Sequence, residues 1–264
     1  MNESSIEDIL TRYSLFMRNK IMDSSLRTYV HELKKYLKSM DGNSLNGKHA
    51  QAYIDKQIHD GVAPSSINLR ANVIMSYFKW NGKAVELDRP DVMTKRPEYL
   101  KKEEVLKTID SCQTVLEKTL IIMLYDTAVR VSELLNLKLN NIDWSMKTIL
   151  VTRKGGRQTE VNVSDKAIDQ LRRWLSLRSS GSDEVFPSLK YGDAWRIIRD
   201  IGKRAEISNV HPHIFRHSRA IHMLRDGVPI NVVSQHLGHK SIKTTIDVYG
   251  QFDVQDIREQ LSTW

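Results

Sequence analysis

The sequence has a single cysteine, Cys112, among its 264 residues. One thiol excludes a disulfide-stabilised scaffold and a cysteine-rich zinc module, and it is typical of a protein kept in a reducing compartment. Long hydrophobic runs are also missing, since the densest one, Leu120–Leu124, is far shorter than the roughly 20 residues that cross a bilayer. The first residues are acidic and polar, unlike a signal peptide. We therefore expect a cytoplasmic protein with no membrane partner.

Acidic residues are fewer than basic ones. Lys and Arg number 40 and Asp and Glu 32, which gives a formal net charge of +8 and a pI near 9.4. The excess divides evenly, because residues 1–97 carry 15 basic and 11 acidic side chains and residues 98–264 carry 25 and 21. Two basic lobes of this kind are able to hold one polyanion between them. A positive charge of this size is also common in proteins that need it only for solubility. The charge alone therefore does not decide between nucleic-acid binding and solubility.

Residues 1–87 are predicted to form four amphipathic helices. Ser5 and Asp8 resemble a capping box that opens the first helix. A second helix begins near Ser25, a third covers residues 47–60 with Ile58 facing inward, and a fourth opens at Pro64. Most of their lysines are expected to lie on solvated helix faces.

A second domain is predicted after a linker at residues 88–97, where two prolines and mixed charges interrupt the helical periodicity. Residues 116–125 are apolar on nearly all sides, which predicts a buried central helix. Residues 148–152 and 159–163 have strand-like patterns and flank a Gly-Gly turn at residues 153–157, which predicts a β-hairpin. Helices are predicted again from Ser164 onward.

Six of the nine histidines lie between His211 and His239. Such a cluster suggests a metal site, but three arginines stand among these histidines, and their positive charge disfavours a divalent cation. A site rich in His and Arg suits a phosphate instead, because Arg donates paired hydrogen bonds to phosphate oxygens. His213 and Arg216 are three residues apart and are expected to share one helix face.

Arg130 and Lys154 are further candidates for phosphate contacts, each with an ordinary alternative. Arg130 precedes a helical segment, where anions are stabilised, but it is equally suited to a salt bridge with Glu133 or Asp126. Lys154 stands at the tip of the predicted hairpin, where an exposed turn lysine is also common. Glu133 is as suited to a structural role as to a catalytic one.

Five motifs in a fixed order decide between these interpretations. They are Thr127–Leu134 with its Arg-x-x-Glu, Lys154–Arg157, the His-x-x-Arg-His of His213–His217, the Leu-Gly-His of Leu237–His239, and Thr244–Tyr249. This series resembles the tyrosine recombinase (phage integrase) family, and the resemblance covers the whole chain. The compact size is most similar to the Xer-type members, including archaeal ones.

The resemblance implies a fold that is mainly α with a small antiparallel β-sheet. Residues 1–87 are similar to the family's helical, SAM-like core-binding domain. Residues 98–264 are similar to its catalytic domain, which has the DNA breaking-rejoining fold and ends in a tail helix. Residues 88–97 join the two.

The same resemblance assigns chemical roles. Tyr249 is the implied nucleophile, which attacks a DNA phosphodiester and forms a 3′-phosphotyrosine, and a phenol with a pKa near 10 needs a base and positive surroundings for this. His213 is the implied base, Lys154 the acid that protonates the leaving oxygen, and Glu133 and His217 supporting residues. The implied phosphate ligands are Arg130, Arg216 and His239. No cofactor and no metal are expected.

The implied function is site-specific DNA recombination, in dimer resolution or in integration and excision of a mobile element. The expected partners are a double-stranded recombination site and further copies of this chain in a tetramer, joined through a tail helix with Val254, Ile257, Leu261 and Trp264 on one side. An accessory or partner recombinase is left open. Residues predicted to contact DNA are Lys34, Lys38, Arg70, Lys79, Arg157, Arg199, Lys203 and Arg219.

Three alternatives are weaker. Residues 221–241 resemble a helix-turn-helix, but a non-catalytic DNA-binding protein has no use for Lys154 and Tyr249 beside two arginines. A type IB topoisomerase-like enzyme uses related chemistry, but the length of the chain and its tail favour a recombinase. A metal-dependent nuclease is the third alternative, and insensitivity to a chelator would remove it. The chain also departs from the family pattern, with Ala128-Val129 before Arg130, Arg219 at a frequently aromatic position, and Gly250 after Tyr249.

Overall fold

The computed structural model describes residues 3–40, 45–92, 97–153 and 155–250. The chain divides into two compact units, Met1–Met93 and Thr94–Trp264. This division lies inside the predicted linker at residues 88–97, and the exact domain boundaries stay predictions. No helix of the described ranges combines the length and apolar character needed to cross a membrane.

The described residues of the first unit form four helices around one hydrophobic core. The helices are α1 (Glu3–Met17), α2 (Asp23–Ser39), α3 (Gly47–His59) and α4 (Pro64–Trp80). Tyr13, Tyr36 and Phe78 are the largest fully buried side chains of this core. Pro64 stands at the start of α4, where its fixed φ fits a helix and its missing N–H costs nothing.

Two local predictions for this unit are wrong. Ser5 is not a cap, because α1 already includes Glu3, whose negative charge near the helix N-terminus is favourable. Ile58 does not face inward and is 44% exposed, because the core covers Ala50 and Ile54 but not the last turn of α3.

The second unit combines eight α-helices of the described residues with a three-stranded antiparallel sheet. Its helices are α5 (Lys102–Asp110), α6 (Val115–Thr127), α7 (Val131–Leu135), α8 (Asp165–Leu177), α9 (Tyr191–Arg204), α10 (Pro212–Arg225), α11 (Ile230–Leu237) and α12 (Ile242–Tyr249). A short 3-10 helix (Leu139–Asn141) precedes the strands β1 (Ile142–Asp143), β2 (Thr148–Thr152) and β3 (Gln158–Asn162). Strand β1 has no counterpart among the sequence predictions.

Helix α6 is the buried centre of this unit, as its all-round apolar pattern predicts. It packs on α8 and α10, and residues 120, 121, 123 and 124 are fully buried. The hairpin forms with Ile149 opposite Val161, both buried on one face, and Thr152 opposite Gln158. Strand β3 therefore begins one residue earlier than predicted, because Gln158 continues the ladder.

Candidate active site

Arg130 lies where the chain turns from α6 into α7. Ala128 ends α6 in the left-handed region, with φ of 50°, and Arg130 is the N-cap of α7. The Arg130 backbone N–H donates to Glu133 Oε2 at 2.9 Å, and its Nη1 donates to Glu133 Oε1 at 2.7 Å. Of the two carboxylates that the sequence offers, Arg130 thus pairs with Glu133. Its side chain is still 38% exposed, so part of the guanidinium faces solvent.

Glu133 is a buried carboxylate at the centre of two ion pairs. Its side chain is 5% exposed, and it also accepts a hydrogen bond from Arg153 Nη1 at 2.7 Å. Burial alone raises the pKa of Glu133, but the Arg130 backbone hydrogen bond and the Arg153 charge outweigh it and hold the pKa below its usual range. Glu133 is therefore an anion that fixes both arginines.

Arg216 is a buried cation on α10. Its Nη1 donates to the Ala128 carbonyl at 2.6 Å and its Nη2 to the Leu237 carbonyl at 2.9 Å, and the residue is 5% exposed. Within the described residues it forms no ion pair. Burial lowers the pKa of Arg216 to about 10, and the charge of Arg130 acts in the same direction. A buried cation of this kind is stabilised by an anionic ligand.

Tyr249, the last residue of α12, is 5% exposed and lies beside this cation. Its hydroxyl lies 2.7 Å from Nδ1 of His217. Burial raises the pKa of Tyr249 to about 12, against the opposing effect of the Arg216 and Arg130 charges. The phenol is therefore neutral near pH 7 and is hydrogen-bonded to His217.

His217 and His213 stand one turn apart on α10 but differ in their surroundings. Burial lowers the pKa of His217 to about 4, and the charges of His213 and Arg216 act in the same direction. The imidazole is therefore neutral at pH 7. His213 is exposed, and partial desolvation followed by the Arg216 charge lowers its pKa. The contact with the Tyr249 hydroxyl is made by His217 and not by His213.

His239 follows the left-handed Gly238 that ends α11. Its Nδ1 lies 2.7 Å from Oγ1 of the fully buried Thr245. Burial lowers the pKa of His239 to about 4, with the Arg216 and Arg130 charges adding to the effect. This neutral imidazole belongs to the same cluster as Arg130, Arg216 and Tyr249.

Lys154 lies outside the described residues, but the turn around it is described. The Arg153 N–H donates to the Arg157 carbonyl at 2.7 Å, and the Gly156 N–H donates to the Arg153 carbonyl at 3.1 Å. Gly155 and Gly156 have φ of 86° and 79°, a conformation that glycine adopts without strain.

The cluster offers cations and neutral imidazoles, a combination suited to an anion. Among the residues that the structure describes, no three His, Cys, Asp or Glu side chains are grouped so that they could hold a metal ion. Arg153 is the member of the cluster that sequence reasoning missed, because nothing in the sequence separates it from an exposed turn arginine.

Several residues predicted to contact DNA are paired with carboxylates within the chain. Lys34 pairs with Glu7, Lys38 lies 3.5 Å from Glu3, and Arg70 Nε lies 2.9 Å from Glu32. Further along the chain, Lys203 pairs with Asp200 at 3.2 Å and Arg157 donates to the Gly238 carbonyl at 2.9 Å. Arg219 lies over the Tyr125 ring, while Lys79 and Arg199 are exposed.

Comparison with known proteins identifies the class to which this fold and site belong. Residues 98–255 match the sequence profile of the phage integrase family. Because the match spans more than half of the chain, the chain belongs to this family of tyrosine recombinases. The family predicted from the five motifs is thereby confirmed, and site-specific recombination is the activity of the chain.

Within the family the chain is similar to Xer-type recombinases. It is 30% identical to tyrosine recombinase XerA of Pyrococcus furiosus over 96% of this chain and 91% of that protein. It is 29% identical to XerA of Pyrococcus horikoshii over 99% of this chain and 93% of that protein.

Solved structures confirm the predicted fold class. A crystal structure of XerA has a TM-score of 0.59 at 24% identity, covering 97% of this chain and 98% of that one. XerH bound to a palindromic difH substrate in a post-cleavage complex has a TM-score of 0.75 at 19% identity, covering 90% and 79%. A lambda integrase dimer bound to a COC' core site has a TM-score of 0.74 at 17% identity, covering 94% and 97%.

Proposed function

We propose that Tyr249 cuts DNA at a specific site and remains joined to the 3′-phosphate, so that a second DNA end can be attached in its place. The observation that carries this proposal is the Tyr249 hydroxyl, which is hydrogen-bonded to His217 beside the cations Arg130 and Arg216. Arg216 has no ion-pair partner among the described residues, and a scissile phosphate supplies the missing negative charge.

In the cleavage step Tyr249 Oη forms a bond to phosphorus and the bond from phosphorus to the 5′-oxygen breaks. Negative charge develops on the non-bridging oxygens, and Arg130 and Arg216 stabilise it through hydrogen bonds that strengthen in the transition state. His239 donates to the same phosphate. The bond energy is retained in the phosphotyrosine, so no nucleotide cofactor is consumed.

The proton of Tyr249 leaves as the new bond forms. Transfer from a phenol with a pKa of about 12 to an imidazole with a pKa of about 4 is strongly unfavourable before attack. It becomes favourable as the phenolic oxygen loses its electron pair to phosphorus. On the 2.7 Å contact we assign the proton acceptor to His217. His213, the acceptor implied by the family resemblance, is then a phosphate ligand on the exposed side of α10.

The 5′-oxygen leaves with a proton from Lys154, as the resemblance implies. Rejoining is the reverse reaction: a 5′-hydroxyl of another strand attacks phosphorus and gives its proton to Lys154, the bond from phosphorus to Tyr249 Oη breaks, and His217 returns its proton to Tyr249. An ammonium is a suitable acid for this step, because negative charge develops on the 5′-oxygen as its bond to phosphorus breaks and makes proton transfer to it favourable.

The partner is a double-stranded recombination site, on which copies of this chain act together as a tetramer. The DNA partner is supported by XerH and lambda integrase, which have the same fold and are bound to DNA in their structures, whereas the tetramer rests on the family resemblance. The tail predicted to join the copies, residues 253–264, lies outside the described residues. Sedimentation of the full chain and of a chain ending at Gly250, each with its DNA site, tests this assembly. Loss of the tetramer only in the shortened chain is expected.

Covalent trapping tests the activity directly. Nicked suicide duplexes carrying randomised or genomic sequences are incubated with the wild type and with Tyr249→Phe in the presence of a chelator. An adduct is expected with the wild type alone, and sequencing the trapped DNA gives the site. An adduct formed equally by Tyr249→Phe, or one abolished by the chelator, contradicts the proposal.

A further inference from the structure

Arg153 is a buried arginine that the reaction scheme above does not use. Its side chain is 3% exposed although it stands at the base of a hairpin turn, a position where arginines are ordinarily solvated. Burying a guanidinium costs free energy unless its hydrogen bonds are satisfied. The buried guanidinium of Arg153 contacts Glu133 at one end and Gly238 at the other.

One end of the Arg153 guanidinium meets the carboxylate that holds Arg130. Nη1 of Arg153 donates to Oε2 of Glu133 at 2.7 Å, while Nη1 of Arg130 donates to Oε1 of the same carboxylate at 2.7 Å. The carboxylate therefore lies between two guanidinium groups, one buried and one 38% exposed.

The other end of the guanidinium lies against Gly238. A methyl group added at Gly238 would lie 2.6 Å from Nε, 2.8 Å from Cζ and 2.9 Å from Nη2 of Arg153. Nη2 also lies 3.4 Å from the His236 carbonyl. The flanking residues of Gly238 are both part of the site, since the Leu237 carbonyl binds Arg216 and His239 follows directly.

We propose that Arg153 is a positioning residue for DNA cleavage, which holds Glu133 against Arg130 on one side and the Gly238 turn on the other. The proposal rests on the recombinase chemistry proposed above. Its physical basis is the net charge of Arg130, Glu133 and Arg153. With Arg153 present, the three charges of Arg130, Glu133 and Arg153 sum to one positive charge, whereas without Arg153 the buried carboxylate neutralises Arg130.

Lysine cannot reproduce this arrangement. An ammonium is a compact point charge, whereas the planar guanidinium reaches Glu133 with one nitrogen and covers Gly238 with the others. Arg153→Lys is therefore expected to keep the net charge but lose the contact with the turn. Its activity should fall between that of the wild type and that of Arg153→Met.

The test compares two scissile groups in the same suicide duplex. On an ordinary phosphodiester, Arg153→Met should slow formation of the Tyr249 adduct at least about tenfold, with unchanged affinity for DNA. A methylphosphonate at the scissile position lacks one charged oxygen and so depends less on Arg130. On that substrate the difference between wild type and variant should shrink to less than about twofold. A purely structural role of Arg153 would slow both substrates equally, and that result would overturn the proposal.

A second variant covers the case in which Arg153→Met fails to fold, as judged from its circular dichroism and thermal unfolding. Gly238→Ala keeps Arg153 and forces its guanidinium away from the turn, and the same substrate-dependent defect is expected. Arg172→Met is the matched control, because Arg172 lies on α8 in an exposed pair with Asp169 and over the Trp144 ring. Its cleavage rate should equal that of the wild type on both substrates.

The two proposals fail in different ways. If the wild type forms no Tyr249-dependent adduct with the phosphodiester, the proposed chemistry is wrong. If it forms the adduct and Arg153→Met, correctly folded, forms it equally fast, only the role of Arg153 is wrong.

Discussion

The hydroxyl of Tyr249 and Nδ1 of His217 are 2.7 Å apart, and both groups are withdrawn from solvent. Burial moves their two pKa values in opposite directions, to about 12 for the phenol and about 4 for the imidazole. Each group is therefore held in its neutral form near pH 7. The pair is stable in the free protein and becomes reactive only when an electrophilic phosphate takes the electron pair of the phenol.

Replacing His217 with Gln is expected to slow formation of the Tyr249 adduct by about 10²- to 10⁴-fold, the usual effect of removing a general base. His213→Gln should have a smaller effect, since it removes one phosphate contact and leaves the Tyr249 contact in place. The two variants are compared by single-turnover cleavage of the suicide duplex. A larger loss with His213→Gln would return the role of base to His213.

The pH dependence of cleavage follows from the shifted pKa values. The reactive form has neutral His217, so its population falls only as the pH falls toward about 4, the pKa of His217. Between about pH 5.5 and pH 8 the single-turnover rate of His213→Gln, which lacks the other histidine of α10 near the phosphate, should therefore show no titration of His217, although an ordinary histidine titrates near 6.5. A rate profile that declines with a midpoint between pH 6 and pH 7 would contradict the assignment.

Removing either arginine of the site should separate chemistry from binding. Arg130→Ala and Arg216→Ala are each expected to slow cleavage by at least about 10²-fold, because the charge that they stabilise develops in the transition state. Binding of the intact site should change little, since many other phosphates contribute to it. Equal loss of cleavage rate and of affinity, measured in the same buffer, would contradict the roles assigned to both residues.

The sequence predicted those helices and strands whose formation depends mainly on residues close together in the chain. The all-round apolar character of α6 predicted its burial, and strand patterning around Gly155 and Gly156 predicted the hairpin. The prediction that Ser5 caps the first helix was wrong because the helix already includes Glu3. The predicted burial of Ile58 was wrong because an amphipathic helix face does not show how far along the helix the hydrophobic core extends.

The members of the site were predicted from family motifs, whereas their pairing was not. His213 and His217 are four residues apart on α10, and nothing in the sequence says which one meets Tyr249, 32 residues further along the chain. Arg153 was missed for a related reason, since its burial depends on Glu133 and Gly238, which are distant in sequence. Contacts of this kind exist only in the folded chain.

Lys79 and Arg70, both on α4, should respond differently to substitution. Arg70 is 17% exposed and pairs with the half-buried Glu32, which keeps Lys35 as a second partner, so Arg70→Met removes one of two ion pairs and should lower stability by about 1 kcal/mol. Lys79 is exposed. If it contacts a phosphate, as the sequence predicts, Lys79→Ala should reduce the slope of log affinity against log salt by about one with unchanged thermal unfolding. An unchanged slope would remove Lys79 from the DNA-contact set.

Acid should destabilise the second unit through His222. This residue is 2% exposed, its Nδ1 lies 2.8 Å from the Tyr125 hydroxyl, and burial lowers its pKa to about 4. The unfolded chain takes up the proton near pH 6.5 and the folded chain only near pH 4, so stability falls as the pH falls through that window. Lys102, Arg225 and Asp226 also face His222. In urea unfolding followed from pH 7 to pH 4.5, His222→Gln should show a shallower loss of stability than the wild type, and parallel curves would contradict this account.

Two glycines of α9 should give opposite results when changed to alanine. Gly202 is buried, and a methyl group there would lie 2.5 Å from Cβ of Val210, so Gly202→Ala should destabilise the protein by about 1–3 kcal/mol. Gly192 has open space around it and is exposed, so Gly192→Ala should be neutral or should stabilise by up to about 1 kcal/mol through lower backbone entropy in the unfolded chain. Urea unfolding of both variants measures the difference. Equal stabilities would mean that α9 can shift away from Val210, and then the helix would not be fixed where the structure places it.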